Sequence, residues 1–247
     1  MNLKYEINRV LTQITGYQFS RPYAFSSDSR LSESEKEIYS KVANRTMTNA
    51  NSIANLVAAT KYVNSANLPG AFVECGVWRG GSAMAFCLSC LEQGVKNREL
   101  FLFDTYEGFS QVDDVDFEIS NGKKAFDLLK SDRNYFCNAN LEDVKVGINE
   151  TEYPSDRIHY LVGDVVNTNL AMLPKEIAIL RLDTDYYEST KWELENLFPL
   201  LVPGGVLIID DYDHWNGCRQ ACDEYFLDKN SVFLIQMQYG RIMIKNE

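Results

Sequence analysis

The chain holds two histidines and six prolines in 247 residues. No stretch approaches the roughly 18 consecutive apolar residues that a membrane-spanning helix requires, so no membrane partner is expected. The opening residues, MNLKYEINRV, lack the apolar core of a secretory leader, and a cytoplasmic location is the expectation. Basic clusters are missing too: 24 Lys and Arg stand against 35 Asp and Glu, a formal net charge of −11. Nucleic-acid partners normally need a basic face, so none is expected. The scarcity of histidine bears on metal chemistry. Cys87 and Cys90, and Cys218 and Cys222, have zinc-like spacings, but His159 and His214 are the only further soft ligands. Both pairs lie inside apolar helical patterns, and buried thiols are the simpler reading, as for Cys75 and Cys137.

What is present is an apolar fraction of 45%, enough for a sizeable core in one large domain, with or without an appendage. Residues 1–30 read as an irregular or partly helical arm. In LSESEKEIYSKVANR, Ser32 and Glu35 form a capping-box pattern, and Ile38 and Val42 follow at helical spacing. A second helix runs through Ile53, Leu56, Val57 and Val63 and ends at Leu68-Pro69-Gly70. From Gly70 onward short apolar runs alternate with helical stretches. AFVEC, ELFLFD, IHYLVGD, IAILRLD and VLIID read as strands. GGSAMAFCLSCLEQG, GKKAFDLLK, NLEDVKVGIN, ESTKWELENLFPLL (ended by VPGG) and GCRQACDEYFLD read as helices. SVFLIQMQ and RIMIK, joined at Tyr239-Gly240, close the chain as an antiparallel pair. Such alternation implies a parallel sheet covered on both faces, and the near-continuous apolar runs suit strands buried on both sides.

Ligands of such sheets bind beyond the carboxyl ends of the strands, so the residues there carry the functional argument. The first strand runs into VECGVWRGGS, where Glu74 precedes Gly76, and Gly80 and Gly81 open a helix. Glycines allow close backbone approach, and a helix N-terminus favours an anionic group. The spacing is not the G-x-G-x-x-G of dinucleotide binders, which argues against a nicotinamide dehydrogenase. The second strand ends at Asp104, an acceptor for ribose hydroxyls or a turn residue. The third ends at Asp164, placed for an adenine or its ribose, or for capping the next helix. The fourth ends in Asp183 with Asp185 two residues on, and the fifth in Asp210-Asp211. Neighbouring parallel strands lie about 4.8 Å apart, so these acids converge. A divalent cation, Mg²⁺ or Mn²⁺, would relieve their repulsion. Solvated loop acids are the alternative.

The blocks TMT, FVECGVWRGGSA, LFDTYEGF, RLDTDYYEST, PGGVLIIDDY and GCRQACDEYF, in order from about Thr46 to Phe226, resemble the macrocin O-methyltransferase family, the TylF/MycF-like sugar methyltransferases. The resemblance implies a class I methyltransferase fold: a Rossmann-like, doubly wound α/β sheet, mostly parallel with a C-terminal antiparallel strand. Residues 1–69 would form an N-terminal arm and helices that serve as lid or oligomer contact, and residues 70–247 the S-adenosylmethionine domain. It implies S-adenosylmethionine as methyl donor, a bound Mg²⁺ (or Mn²⁺) and a small-molecule acceptor bearing a sugar hydroxyl. Carried over by position, Glu74, Gly76, Val77, Trp78, Gly80 and Ser82 would hold the methionine part of the donor. Asp104 and Thr105 would hold the ribose, and Gly163, Asp164 and Val165 would lie near the adenine. Thr46 and Asp183 would complete the cofactor pocket.

The same carry-over makes Asp183, Asp210 and Asp211 the metal ligands and Asp183 also the general base. His214, an imidazole that titrates near neutrality, is the rival base. Tyr186, Tyr187, Tyr212 and Trp215 are candidate walls of the acceptor pocket, and the arm and loop 105–120 would set acceptor choice. A homo-oligomer through the arm, with Tyr17, Phe19, Tyr23 and Phe25 as its apolar residues, is a further expectation. Two alternatives share these features: a catechol-type methyltransferase with a phenolic acceptor, and a catalytically silent nucleoside-binding scaffold.

Overall fold

A computed structural model describes residues 31–109, 112–131, 139–227, 232–237 and 240–246. The expected arm and its oligomer contact, Cys137 and Tyr239 lie outside the described residues. Everything described belongs to one compact unit that begins at Leu31.

Two helices come first, α1 (Glu33–Val42) and α2 (Ala50–Ser65). The Ser32 and Glu35 capping box forms at the start of α1, and Asn49 caps α2 by accepting from Asn51 N and Ser52 N. Then β1 (Ala71–Cys75), α3 (Gly81–Glu92), β2 (Leu100–Asp104), α4 (Ala125–Ser131), α5 (Leu141–Asn149), β3 (Ile158–Val162) and β4 (Ile177–Leu182) follow. The chain goes on through α6 (Tyr187–Asn196), β5 (Leu201–Ile209), α7 (Asn216–Phe226), β6 (Ile235–Gln236) and β7 (Arg241–Ile244). The sheet order is β3-β2-β1-β4-β5-β7-β6, with β1 to β5 parallel and β7 antiparallel to both of its neighbours. Strand order reverses between β1 and β4, the switch point where doubly wound sheets open a crevice.

Strand side chains alternate between faces, and the core divides accordingly. Phe72 and Ile179 join Val42, Leu56, Phe86 and Val144 on the face covered by α1, α2, α3 and α5. Val73, Cys75 and Leu180 join Leu194, Trp215 and Cys218 on the face covered by α6 and α7. The first two helices, grouped with the arm on sequence, thus share the core of the sheet.

The fifth strand corrects the sequence reading. VPGG does not terminate a helix: α6 stops at Asn196 and β5 already begins at Leu201. The pairing shifts register between Ile177 and Ile179, so the Pro203-Gly204 stretch bulges away from β4, where proline's missing N–H is tolerated. Gly204 N and Lys245 N instead bond across to Lys245 O and Gly205 O, at 2.7 and 2.8 Å.

Candidate functional site

Strand register builds the site. Cys75 pairs with Leu182 and Leu182 with Ile209, so the next residues, Gly76, Asp183 and Asp210, emerge side by side. Asp183 N bonds to Cys75 O at 2.8 Å and Asp210 N to Leu182 O at 3.0 Å. One step back, Glu74 lies across from Arg181, both within strands and both essentially buried.

Arg181 is the cation that the acids share. It is 2% exposed. Its Nη1 donates to Glu74 Oε1 at 2.9 Å and Asp183 Oδ2 at 2.6 Å. Its Nη2 donates to Thr48 Oγ1 at 2.9 Å and lies 3.2 Å from Asp210 Oδ2. One planar fork therefore serves three carboxylates and a hydroxyl. The sequence reading missed this residue, although an arginine inside the apolar run IAILRL is a visible signal, since charged groups are rarely buried unpaired.

The carboxylates beyond Arg181 form a second group. Asp183, Asp185 and Asp211 each present an oxygen, all within 4.8 Å of one another. Asp183, Asp210 and Asp211 keep 24%, 19% and 14% of their side-chain surface, so they line an opening. Asp211 Oδ2 has no hydrogen-bond partner among the described residues. All-oxygen donors at this spacing, with an orphaned buried oxygen among them, fit a hard divalent cation. Of the three ligands expected from sequence, the geometry groups Asp183 and Asp211 with Asp185. Asp210 has one oxygen engaged by Arg181. Burial pushes the Asp183 and Asp185 carboxyls well above the ordinary range; Asp210 and Asp211 add to this for Asp183, and Asp211 above all for Asp185. Asp211 is pulled upward by burial, but the hydrogen bond to His214 and those to its neighbouring acids leave it below the ordinary range.

His214 is half exposed, with Nδ1 3.5 Å from Asp211 Oδ1 and Nε2 3.8 Å from Glu118 Oε1. Its bond to Asp211 raises its pKa, favouring the imidazolium. Glu118 reaches it because the segment after Val112 docks on the sheet end. Ile119 N bonds to His214 O at 2.9 Å, and Glu118 forms a bridge with Trp215. The anchor is Asp116, 1% exposed, which accepts from Tyr187 N at the start of α6 at 2.9 Å and from Asp113 N at 2.7 Å. Nothing in the local sequence distinguishes Asp116 from its acidic neighbours.

On the other side of Arg181 lies the glycine loop. Gly76 has φ +83°, and a Cβ there would fall 2.0 Å from Asp183 O, so only glycine lets β1 and β4 approach this closely. Trp78 also has positive φ, at 45°, and so do Tyr106 and Asp185, at 55° and 72°. Non-glycine residues in this region cluster where function demands it. Asp104 Oδ2 accepts from Val77 N at 2.7 Å and Trp78 N at 2.9 Å, while Oδ1 accepts from Tyr106 N at 2.7 Å. The acid expected at a ribose thus also braces the glycine loop. Thr105 Oγ1 bonds to Gly108 O within the same turn. Glu74 Oε2 is buried without a hydrogen-bond partner among the described residues, and burial raises the group to about 7 against the pull of Arg181.

After Gly80, α3 begins with Gly81 and the buried Ser82. Gly81 N bonds to Arg45 O at 2.9 Å, and a Cβ on Gly81 would meet Thr46 Cβ at 2.7 Å. Thr46 therefore lies on the helix N-terminus, held there by Arg45 and Arg79, which both bind Asp143. At the end of β3, Gly163 N bonds to Asp104 O, Asp164 caps a short 3-10 turn through Val166 N, and Val165 is buried.

Two of the four aromatic candidates for the acceptor wall need correction. Trp215 and Tyr186 are 1% and 4% exposed and pack edge to face at 5.3 Å, inside the core under α6 and α7. They present no surface to an acceptor. Tyr187 donates to Glu224 at 2.7 Å, and Tyr212 donates to Asp223 beneath the Arg241 guanidinium. Helix hydrophobic patterning does not separate a core aromatic from a pocket one.

Buried acids make stability depend on pH. Glu193 in α6 is fully buried, and burial raises its pKa from the ordinary 4.5 to about 8. The folded chain then retains a proton that the unfolded chain has released, so this contribution is fully present below 4.5 and lost as pH rises through about 8. Glu193→Gln is expected to flatten the fall in melting temperature across that window, read by thermal melts at several pH values.

The family model described as macrocin-O-methyltransferase (TylF) matches residues 7–233. The chain is 32% identical over 180 residues to the 8-demethyl-8-(2,3-dimethoxy-alpha-L-rhamnosyl)-tetracenomycin-C 4'-O-methyltransferase of Streptomyces olivaceus, covering 73% of this chain and 67% of that one. It is 30% identical over 196 residues to the mycinamicin III 3''-O-methyltransferase of Micromonospora griseorubida, covering 76% and 72%. Among solved structures, the O-methyltransferase NovP superposes with a TM-score of 0.71 at 27% identity, covering 82% of this chain and 83% of that one.

Proposed function

Since the chain belongs to the TylF macrocin-O-methyltransferase family and is an O-methyltransferase, we propose that it moves the methyl of S-adenosylmethionine to a sugar hydroxyl of a glycosylated small molecule, with help from a divalent cation. The observation that carries the cation is the convergence of Asp183, Asp185 and Asp211, with Asp211 Oδ2 lacking a hydrogen-bond partner among the described residues. The sugar acceptor is supported by the tetracenomycin-C relative, whose name carries a rhamnosyl group on the molecule that it methylates.

S-adenosylmethionine supplies an electrophilic methyl, and a cation held by Asp183 and Asp211, with Asp185 and Asp210 beside them, supplies a Lewis acid that makes a hydroxyl more acidic. The chain does the rest. Glu74, the loop from Gly76 to Ser82, and Thr46 bind the amino-acid end of the donor, with Asp104 and Asp164 towards its nucleoside. Asp185 accepts the hydroxyl proton as the oxygen bonds to the methyl carbon and the carbon–sulfur bond breaks. Asp183 is less suited to that role, because its Oδ2 already accepts from Arg181 Nη1 at 2.6 Å. His214 is biased towards its protonated form by Asp211. The segment Val112–Lys124, docked by Asp116, forms one side of the acceptor entrance beside His214 and Glu118.

The reading is tested by calorimetric titration of S-adenosylmethionine, followed by an acceptor panel of glycosides and catechols. Saturable binding and turnover of glycosides support it. Turnover of catechols alone would move the protein to the phenolic class, and absence of binding would remove the donor.

A further inference from the structure

Glu193 takes no part in the roles assigned above, yet it is fully buried in the second turn of α6, where an apolar side chain would avoid the penalty of dehydrating a carboxyl. Its Oε1 accepts from Thr184 Oγ1 at 2.9 Å, and the buried Cys75 thiol at the end of β1 is the other side chain that hydrogen-bonds to the carboxyl. Thr184 is the middle residue of the turn from Asp183 to Asp185. That turn is held in an unfavourable shape: Asp185 has φ +72°, and such residues persist only where their surroundings over-determine them. The backbone is tied by Asp183 N to Cys75 O, Tyr186 N to Thr184 O and Tyr187 N to Asp116 Oδ1. The bond to Glu193 is the side-chain tie of Thr184 itself.

We infer that Glu193 is a positioning residue, which holds Thr184 from beneath the sheet end and so keeps the Asp183 and Asp185 carboxylates aimed at one point. This rests on the reading that Asp183 helps to hold a divalent cation. Groups hydrogen-bonded to metal ligands fix ligand orientation, and losing them typically weakens metal binding by about 10- to 100-fold; Glu193 acts one residue further back, through Thr184, so the lower end of that range is expected.

The experiment is titration of Mn²⁺ alone into the full-length chain without S-adenosylmethionine, with free Mn²⁺ read by electron paramagnetic resonance. Glu193→Gln keeps a carbonyl acceptor for Thr184 and is expected to bind Mn²⁺ as the wild type does. Glu193→Leu and Thr184→Val are each expected to weaken Mn²⁺ binding about 10-fold. The double variant should be no weaker than either single one, because both remove the same bond. S-adenosylmethionine affinity should stay unchanged throughout. Thr184→Val keeps the test alive if Glu193→Leu does not fold. Wild-type Mn²⁺ affinity in Thr184→Val would overturn this inference alone. Failure of the wild-type protein to bind Mn²⁺ would overturn the cation reading and this inference with it.

Discussion

Asp211→Asn is expected to lower methyl transfer about 10³-fold while S-adenosylmethionine still binds. Asp211 sits in the group of three acids whose oxygens lie within 4.8 Å, and its Oδ2 has no hydrogen-bond partner among the described residues. Asparagine keeps the shape but removes the charge, so the loss falls on the cation and on the reaction rather than on folding. The donor pocket is untouched, because Glu74, the glycine loop and Asp104 are assembled by other strands. Asp185→Asn should lose transfer comparably through loss of the proton acceptor. Steady-state rates and calorimetry of the same preparations check both halves of the expectation. A variant with wild-type turnover at either position would remove that residue from the mechanism.

Arg181→Met should have the largest effect on stability. The side chain is 2% exposed and serves Glu74, Asp183, Asp210 and Thr48 together. Removing one partner of a buried ion pair leaves an uncompensated charge, at roughly 3–5 kcal/mol. Here three carboxylates lose the same partner, so the loss should lie at or above that range. Lysine keeps the charge but not the fork, and cannot donate to all four groups at once. The deficit should grow with pH. Without the guanidinium the buried acids titrate higher in the folded chain, which then retains protons that the unfolded chain releases, so stability is lost as pH rises. Denaturant unfolding at acidic and at mildly alkaline pH measures both the loss and its slope.

The layer architecture was legible because its determinants are local. Apolar runs followed by amphipathic stretches, a capping box at Ser32 and a glycine loop after AFVEC each specify a piece of structure from neighbouring residues. The strand-end acids were legible for a related reason: once the strands are parallel, register alone brings Asp183 and Asp210 together. What escaped depends on long-range partners. Arg181 is 107 positions from Glu74 and 133 from Thr48, and Asp116 is 71 from Tyr187. Asp185 joins Asp183 and Asp211 only because the turn takes a positive φ that the letters DTD do not announce. Trp215 was misplaced because an aromatic at a helix start points as readily into the core as into a pocket. Pro203-Gly204 looked like a helix stop because proline in a strand is tolerable only at the bulge that tertiary pairing creates.

The most direct test of the central claim is transfer of a labelled methyl group from S-adenosylmethionine to a sugar-bearing acceptor, run with Mg²⁺ and with excess EDTA. The expected result is label on the sugar with Mg²⁺ present, loss of transfer in EDTA, and recovery when Mg²⁺ is restored. Transfer at full rate in EDTA would contradict the role given to the converging aspartates.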